Sequence, residues 1–352
     1  MDVFETALSR LSQGQSSVMA TIIASEGSTP LPSGAKMLVG EGGTVLCGTV
    51  GGGRVEAEVQ RAASHLIDSG NECAMHHFTL SKDDGGIGML CGGNVDLLLE
   101  RVKKEHADLY SELIDRREAG DDVAIVTVIS DQSIIQNKYL SPPLRKGDGN
   151  VPDSLEEVIH EAIGKQSIRR VPLAAAEVIV EPLAGIRDLM IFGGGHISRY
   201  LSRNAAMAGF RVTIIDDRPE FTARARFPNA YKTMTMDFDA AWDHLTVSPS
   251  TSIVIVTRGH SFDEKVLERA VRTPAGYIGM IGSKRKVIET FKSLASRGIS
   301  RETLNQVHAP IGLAIGAVTA EEIAVSITAE LIAARRGQLS SARTMADTVK
   351  DR

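Results

Sequence analysis

One stretch constrains this chain more than any other: Asp188 to Asp217, DLMIFGGGHISRYLSRNAAMAGFRVTIIDD. Leu189–Phe192 is a short apolar run, and Gly193, Gly194 and Gly195 follow at once. A helical pattern runs from His196 to about Ala208, where Gly209 ends it. Val212–Ile215 is a second apolar run, closed by Asp216 and Asp217. Strand, glycine turn, helix, strand and acid in this order give a G-x-G-x-x-G match its meaning. Gly193 allows the tight turn, and Gly195 lets a pyrophosphate approach the backbone. The helix N-terminus offers free N–H groups to the anion. Asp216 stands 21 residues after Gly195, where an acid accepts from a ribose 2′-hydroxyl. Ser198 replaces the third glycine and is small enough to stand in for helix–strand packing. The stretch predicts a Rossmann-type unit. It leaves open whether the site holds NAD, holds another phosphate-bearing ligand, or is empty or repurposed, because fold does not fix function.

A chain of 352 residues argues for about two domains. Its 43% hydrophobic and 24% charged residues fit a globular protein with a sizeable core. With 4% aromatics and a net charge of −5, a base-stacking nucleic-acid surface and an anionic-membrane partner are both disfavoured. No apolar run approaches the ~20 residues of a membrane span. The start, MDVFETALSRL, has early acids and no apolar stretch of signal-peptide type. Cys47, Cys73 and Cys91 show no C-x-x-C spacing and no disulfide framework, so a reducing cytoplasm is the expectation.

The first part of the chain reads as mixed α/β. Val3, Phe4, Ala7, Leu8 and Leu11 mark one face of a short helix, and Val18–Ala24 reads as a buried strand. A turn-rich loop from Ser25 to Gly34 follows, then a hairpin of Lys36–Val39 and Thr44–Val50. The hairpin runs into Gly51-Gly52-Gly53 and a helix stopped by Gly70. A helix start preceded by glycines is an anion site or merely a tight turn needing positive φ; this stretch alone does not decide. No acid-bearing second strand follows it, so it is not a second dinucleotide fingerprint. Cys73–Leu80 reads as a strand whose adjacent His76 and His77 point to opposite faces, which disfavours their sharing one metal. Asp83 to Gly93 carries five glycines with Cys91 among them, and a cysteine on such a loop is open to chemistry or is a small apolar filler. Cys47, inside a strand, reads as core. Val95, Leu97 and Leu99 alternate as in a half-buried strand, Ala107 to Glu118 is helical, and Val123–Ile129 is a β-branched strand. The pattern weakens from Ser130 to Val171, with one helix expected near Ser154–Ile163, before a strand at Ala176–Val180.

The second part continues a doubly wound pattern. Pro219–Phe227 reads as a loop or short helix, and Phe238–Leu245 as helical. Ile253–Val256 is a strand ending in Thr257-Arg258-Gly259-His260, with a helix from about Asp263 to Val271. Tyr277–Ile281 is the next strand, running into Gly282-Ser283-Lys284-Arg285-Lys286 and another helix. Ligands of open α/β sheets bind beyond the carboxyl ends of the strands. Three such ends meet polar or glycine-rich loops here: Gly193–His196, Thr257–His260 and Gly282–Lys284. His308 to Gly316 reads as a loop. Thr319-Ala320-Glu321-Glu322 is a capping box opening a helix with Ile323, Ile327 and Leu331 on its buried face.

Four groups of segments resemble the XdhC/CoxI family, accessory proteins of xanthine dehydrogenase and related molybdenum hydroxylases. They are GSTPLPSGAKMLV with GTVGGGRVE; MLCGGNVDLLLE; FGGGHIS with TIIDDRPEF; and TRGHSFDEKVLERA through GYIGMIGSKRKV to HAPIGLAIGA. They span most of the chain in family order. The resemblance implies an α/β fold, with an N-terminal mixed α/β domain followed by a C-terminal Rossmann-like doubly wound parallel sheet. The expected organisation is an XdhC/CoxI-type domain over 1–130, a connecting segment closing it over 131–185, the Rossmann-like domain over 186–338, and a disordered tail over 339–352.

It also implies a chaperone that binds molybdenum cofactor as cargo, supports its sulfuration with a cysteine desulfurase, and passes it to the apo-hydroxylase. A homodimer is expected. Cofactor contacts are expected from Ser28 and Thr29, from Gly51, Gly52, Gly53 and Glu56, and from Cys91, Gly92 and Gly93. In the second domain they are expected from Gly193, Gly194, Gly195, His196, Asp216 and Asp217, from Arg258, Gly259 and His260, from Gly282, Ser283 and Lys284, and from Pro310 and Gly312. Cys91 is the candidate for molybdenum contact or sulfur handling. The chain departs from the family pattern at Leu31, where a basic residue is frequent, and at Ala314, where an acid is usual. Two other readings stand beside this one. One is an NAD(P)-dependent oxidoreductase using His196, His260 or Asp216. The other is a nucleotidyl- or sulfur-transferase acting on the cofactor.

Overall fold

The computed structural model describes residues 2–27, 31–80, 93–130, 134–141, 155–173, 175–342 and 344. Ser28, Thr29, Cys91 and Gly92 therefore lie outside the described residues. The chain divides into two units, residues 1–185 and 186–352.

The first unit runs α1 (Val3–Ser12), β1 (Ser17–Gly27), β2 (Lys36–Gly40), β3 (Val45–Gly48), α2 (Gly53–Ser69), β4 (Cys73–Leu80) and β5 (Gly93–Arg101). It continues with α3 (Ala107–Glu118), β6 (Val123–Ser130), β7 (Ile134–Ser141), α4 (Leu155–Lys165), β8 (Arg169–Leu173) and β9 (Ala176–Leu183). Two antiparallel sheets form, in orders β3-β2-β1-β5-β4 and β7-β6-β9-β8. The period of two along each strand explains their layering. Val18, Ala20, Ile22, Val95, Leu97 and Leu99 pack with Val55, Val59 and Leu66 of α2. The intervening Ile23 and Leu98 face Ile129 and Ile179 of the second sheet. Ala124, Val126, Val178 and Val180 turn to α4 on its far side. Among the described residues, three ion pairs join the two sheets: Lys36 with Glu181 at 2.8 Å and Lys138 with Glu100, both buried, and Arg170 with Asp96 at 2.5 Å, more exposed.

Strands β7 and β8 occupy a region where the sequence shows little pattern. Lys138 faces the other sheet rather than solvent, which breaks the polar–apolar alternation of β7. β8 is an edge strand, mostly exposed and containing Pro172, so it has little apolar signal to give. Cys47, expected in the core, is half-buried and packs at its margin. Of the two described cysteines Cys73 is the buried one, and burial pushes its pKa up to about 11, so it stays protonated at neutral pH.

The second unit is a parallel sheet: β10 (Arg187–Phe192), α5 (His196–Met207), β11 (Phe210–Asp216), β12 (Lys232–Thr235), α6 (Phe238–Ala241) and β13 (Ser252–Ile255). It continues with α7 (His260–Ala270), β14 (Tyr277–Met280), α8 (Lys284–Ser296), α9 (Arg301–Asn305) and α10 (Ala320–Arg335). The strand order is β12-β11-β10-β13-β14, all neighbours parallel. The segment from His308 extends the sheet beyond β14. His308 donates to Ile278 O at 2.9 Å, and Ile311 donates to Met280 O at 3.0 Å. A segment that reads as a loop thus takes a sixth strand position. The order reverses between β10 and β13, which is where a doubly wound sheet opens a crevice.

At the C-terminal end of the described residues, Leu339–Ser341 forms a 3₁₀ turn, and Thr344 is buried and bridged to Leu313. The backbone pairing with Leu313 holds it, and nothing in the local composition reports that partner.

Candidate cofactor-binding site

In the second unit the carboxyl ends of β10, β11 and β13 bring together the loops that the sequence singles out. Gly193 has φ of 109°. A side chain there would collide with the Val256 carbonyl, and one at Gly194 with the Phe221 carbonyl. These two glycines make room for neighbouring backbone. Gly195 differs: nothing lies within 4 Å of the side chain it lacks. It caps α5 without any side-chain hydrogen bond, and the first turn holds no acid. The amide end of α5 therefore faces open space beside Gly195, where an anion is stabilised by the helix dipole and the N–H groups. Ser198 is fully buried and its hydroxyl donates to Gly193 O at 2.5 Å, so it both fits the packing position and ties down the turn.

Asp216 sits at the predicted place, but it is already engaged. It is 1% exposed. Its Oδ2 accepts from Gly194 N at 2.8 Å and from Arg218 Nη2 at 3.0 Å. Its Oδ1 accepts from Arg218 Nε at 2.9 Å and Arg218 N at 3.1 Å. Burial opposes ionisation, but the Arg218 guanidinium and the two amides outweigh it and hold the carboxyl below its usual range. The expected ribose acceptor is thus spent on holding the turn. Asp217, the next residue, pairs with Arg258 through a fork of 2.5 and 2.8 Å. Arg226 Nη2 donates to Gly194 O at 3.2 Å, and Phe221 lies between Arg218 and Arg226, 3.5 and 5.0 Å from their guanidinium carbons.

The same device recurs in the other loops. Asp263, fully buried in the first turn of α7, accepts from Thr257 N at 3.1 Å and Thr257 Oγ1 at 2.6 Å, and pairs with Lys286. Glu330, fully buried on α10, accepts from Gly312 N at 2.7 Å and from the Tyr277 hydroxyl at 2.6 Å, with His308 Nδ1 at 3.2 Å. Each of three loops is therefore pinned by a buried carboxylate that takes a backbone N–H. Asp263 and Glu330 are absent from the residues that the sequence nominates. Glu330 was discoverable: it lies seven residues after Ile323 and three after Ile327, an acid on an apolar stripe.

The remaining nominated residues fall as follows. His196 begins α5 and is exposed. Gly259 caps α7, which begins at His260, three residues before the expected start. Ser283 spends its hydroxyl capping α8, accepting from Lys286 N at 3.3 Å. Gly282 is half-buried beside Lys286, Lys284 opens α8, and Pro310 is buried in the sixth-strand segment.

In the first unit, Gly51, Gly52 and Gly53 all have positive φ, at 118°, 77° and 60°. Gly52 caps α2 with no side-chain hydrogen bond and has open space beside it. Glu56 turns back to accept from Thr49 Oγ1 and from Val50 N at 3.3 Å, so it braces the turn. The registers Gly27↔Gly93, Leu80↔Gly93 and Met37↔Gly48 put the described ends of three connections at one end of the first sheet. These connections carry Ser28–Thr29, Gly51–Gly53 and Cys91–Gly92. Leu31, where the family pattern favours a basic residue, packs on the α2 core. Among the described residues, no group of three or more His, Cys, Asp and Glu side chains could hold a metal ion, and no helix is long and apolar enough to cross a membrane.

Two family models match the chain. The XdhC and CoxI family model covers residues 10–79, and the XdhC Rossmann domain model covers residues 189–331. A probable xanthine dehydrogenase subunit of Bacillus subtilis (strain 168) is 28% identical over 339 residues, covering 96% of this chain and 98% of that protein. The molybdenum cofactor insertion chaperone PaoD of Escherichia coli (strain K12) is 25% identical over 340 residues, covering 96% and 89%. A crystal structure described as that of a xanthine dehydrogenase from Bacillus halodurans superposes with a TM-score of 0.76 at 27% identity, covering 96% and 97%.

Proposed function

This chain belongs to the XdhC and CoxI family, and from that premise we propose that it is an accessory protein for molybdenum cofactor. In this reading it binds the cofactor as cargo, shields it while a cysteine desulfurase installs the terminal sulfido ligand, and inserts it into a xanthine dehydrogenase-type hydroxylase. It acts as a homodimer in the cytoplasm. Its full-length similarity to a chaperone named for cofactor insertion supports the role. The observation that carries the reading over a dehydrogenase is the state of Asp216. A dinucleotide enzyme presents that acid to a ribose, whereas here both oxygens are held by Arg218 and the Gly194 amide. What is left is a rigid amide cradle, suited to gripping and releasing a phosphate.

The Gly195 end of α5 takes the phosphate end of the cofactor, with Arg258 nearby. Cys91 stands in this reading as the candidate for molybdenum contact or sulfur handling. The test is equilibrium binding of the purified protein to molybdenum cofactor and, separately, to NAD(H). Retention of cofactor is the expected result. Tight NAD(H) binding with substrate turnover and no cofactor retention would overturn the reading. A Cys91→Ala protein that keeps full cofactor binding and full partner activation would remove Cys91 from it.

A further inference from the structure

An ion pair crosses the crevice of the second unit at its most constrained point. β10 lies between β11 and β13. Asp217 follows the last residue of β11, and Arg258 stands three residues past the end of β13 at Ile255. Their fork-shaped contact, at 2.5 and 2.8 Å, therefore reaches across the carboxyl end of β10, where the glycine turn begins.

We propose that this pair is a latch released by phosphate. A phosphate of a nucleotide-bearing ligand takes Arg258 from Asp217, and the freed carboxylate accepts from the ribose hydroxyls of the same ligand. The proposal rests on the reading that this turn grips the phosphate end of the cargo, and it commits that end to a ribonucleotide.

Four observations carry it. Asp216 is consumed, so a ribose acceptor has to come from elsewhere, and Asp217 is the adjacent carboxylate with its side chain 22% exposed. The latch is cheap to open, since Arg258 is 37% exposed and pairs this accessible contribute little to stability. A phosphate offers Arg258 the same two-pronged geometry with more charge. Arg258 also rests on the Phe262 ring, 4.4 Å from its centroid, a platform that stays in place whichever anion the guanidinium faces. Finally, Arg218 Nε lies 3.8 Å from Asp217 Oδ1, so the carboxylate keeps a positive neighbour after Arg258 leaves. The exchange trades one ion pair for another and adds hydroxyl donors to Asp217.

Calorimetric titration of the full chain with cytidine, guanosine and adenosine 5′-diphosphates, their 2′-deoxy counterparts and pyrophosphate tests this. Wild type is expected to prefer ribose over deoxyribose. Arg258→Ala weakens every probe by about tenfold or more. Asp217→Ala strengthens pyrophosphate binding about threefold, because Arg258 loses its competing anion, and erases the ribose preference. Both side chains are accessible, and unchanged melting temperatures confirm that the variants fold. An Asp217→Ala protein with unchanged pyrophosphate affinity, or with its ribose preference intact, overturns the latch. So does a wild-type protein that binds none of the diphosphates. If that protein still retains molybdenum cofactor, the latch has failed and the cargo reading has not.

Discussion

A buried carboxylate beside a glycine turn either meets a ligand or holds the turn, and its hydrogen bonds decide which. Asp216 holds the turn: Arg218 and two backbone amides use both of its oxygens. Replacing it with asparagine keeps the shape and removes the charge. Asp216→Asn is therefore expected to lower stability by about 2 kcal/mol at neutral pH, the scale of a charge-assisted hydrogen bond. The pH dependence follows from the direction of the shift. Because the folded pKa is depressed, the stabilisation is complete above the unfolded value of about 3.9 and is lost as pH falls through the folded value. Denaturant titrations of both proteins between pH 3 and pH 8 are expected to show a gap that is constant near neutrality and closes in acid. A gap that does not change with pH would show that the charge of Asp216 is not what stabilises the turn.

Among elements, the three glycines before α5 look alike in sequence and differ in the fold. Gly194→Ala forces a collision with the Phe221 backbone and is expected to cost about 2–3 kcal/mol. Gly195→Ala meets open space at a φ of −70°, so stability stays within about 0.5 kcal/mol while phosphate binding weakens. Thermal melts paired with pyrophosphate titration separate the two effects. The buried Lys36–Glu181 pair makes a parallel case between the two sheets of the first unit. Lys36→Met alone is expected to cost about 3–5 kcal/mol by leaving a buried carboxylate unpaired, and adding Glu181→Leu should recover most of it. If the double variant is no more stable than the single one, the loss lies in packing and not in an orphaned charge.

These elements also show what sequence can and cannot reveal. The turn before α5 and the capping box of α10 are legible because their determinants lie within a few residues of one another. The commitment of Asp216 is half local: Arg218 is two residues away, but Gly194, the backbone it pins, is 22 residues away. Asp263 reads as an ordinary first-turn acid until the Thr257 loop folds onto it. Glu330 reaches Tyr277, 53 residues distant. β12 escapes notice because it is a four-residue edge strand, KTMT, with little apolar surface to bury.

At the scale of the whole molecule, each unit offers a braced glycine turn at a helix N-terminus. In the first, Glu56 holds the backbone before Gly51–Gly53; in the second, Asp216 holds Gly194. Braced cradles of this kind limit the ordering cost of binding, which suits the capture and release of a cargo proposed above. Transfer tests that claim most directly. The purified protein is loaded with molybdenum cofactor, freed of excess by gel filtration, and mixed with cofactor-free xanthine dehydrogenase-type hydroxylase, while hydroxylase activity and protein-bound molybdenum are followed together. Molybdenum is expected to leave this protein and appear in the hydroxylase as activity rises, faster than with the same amount of free cofactor. Activation no faster than with free cofactor, or molybdenum that never co-elutes with this protein, would contradict that claim.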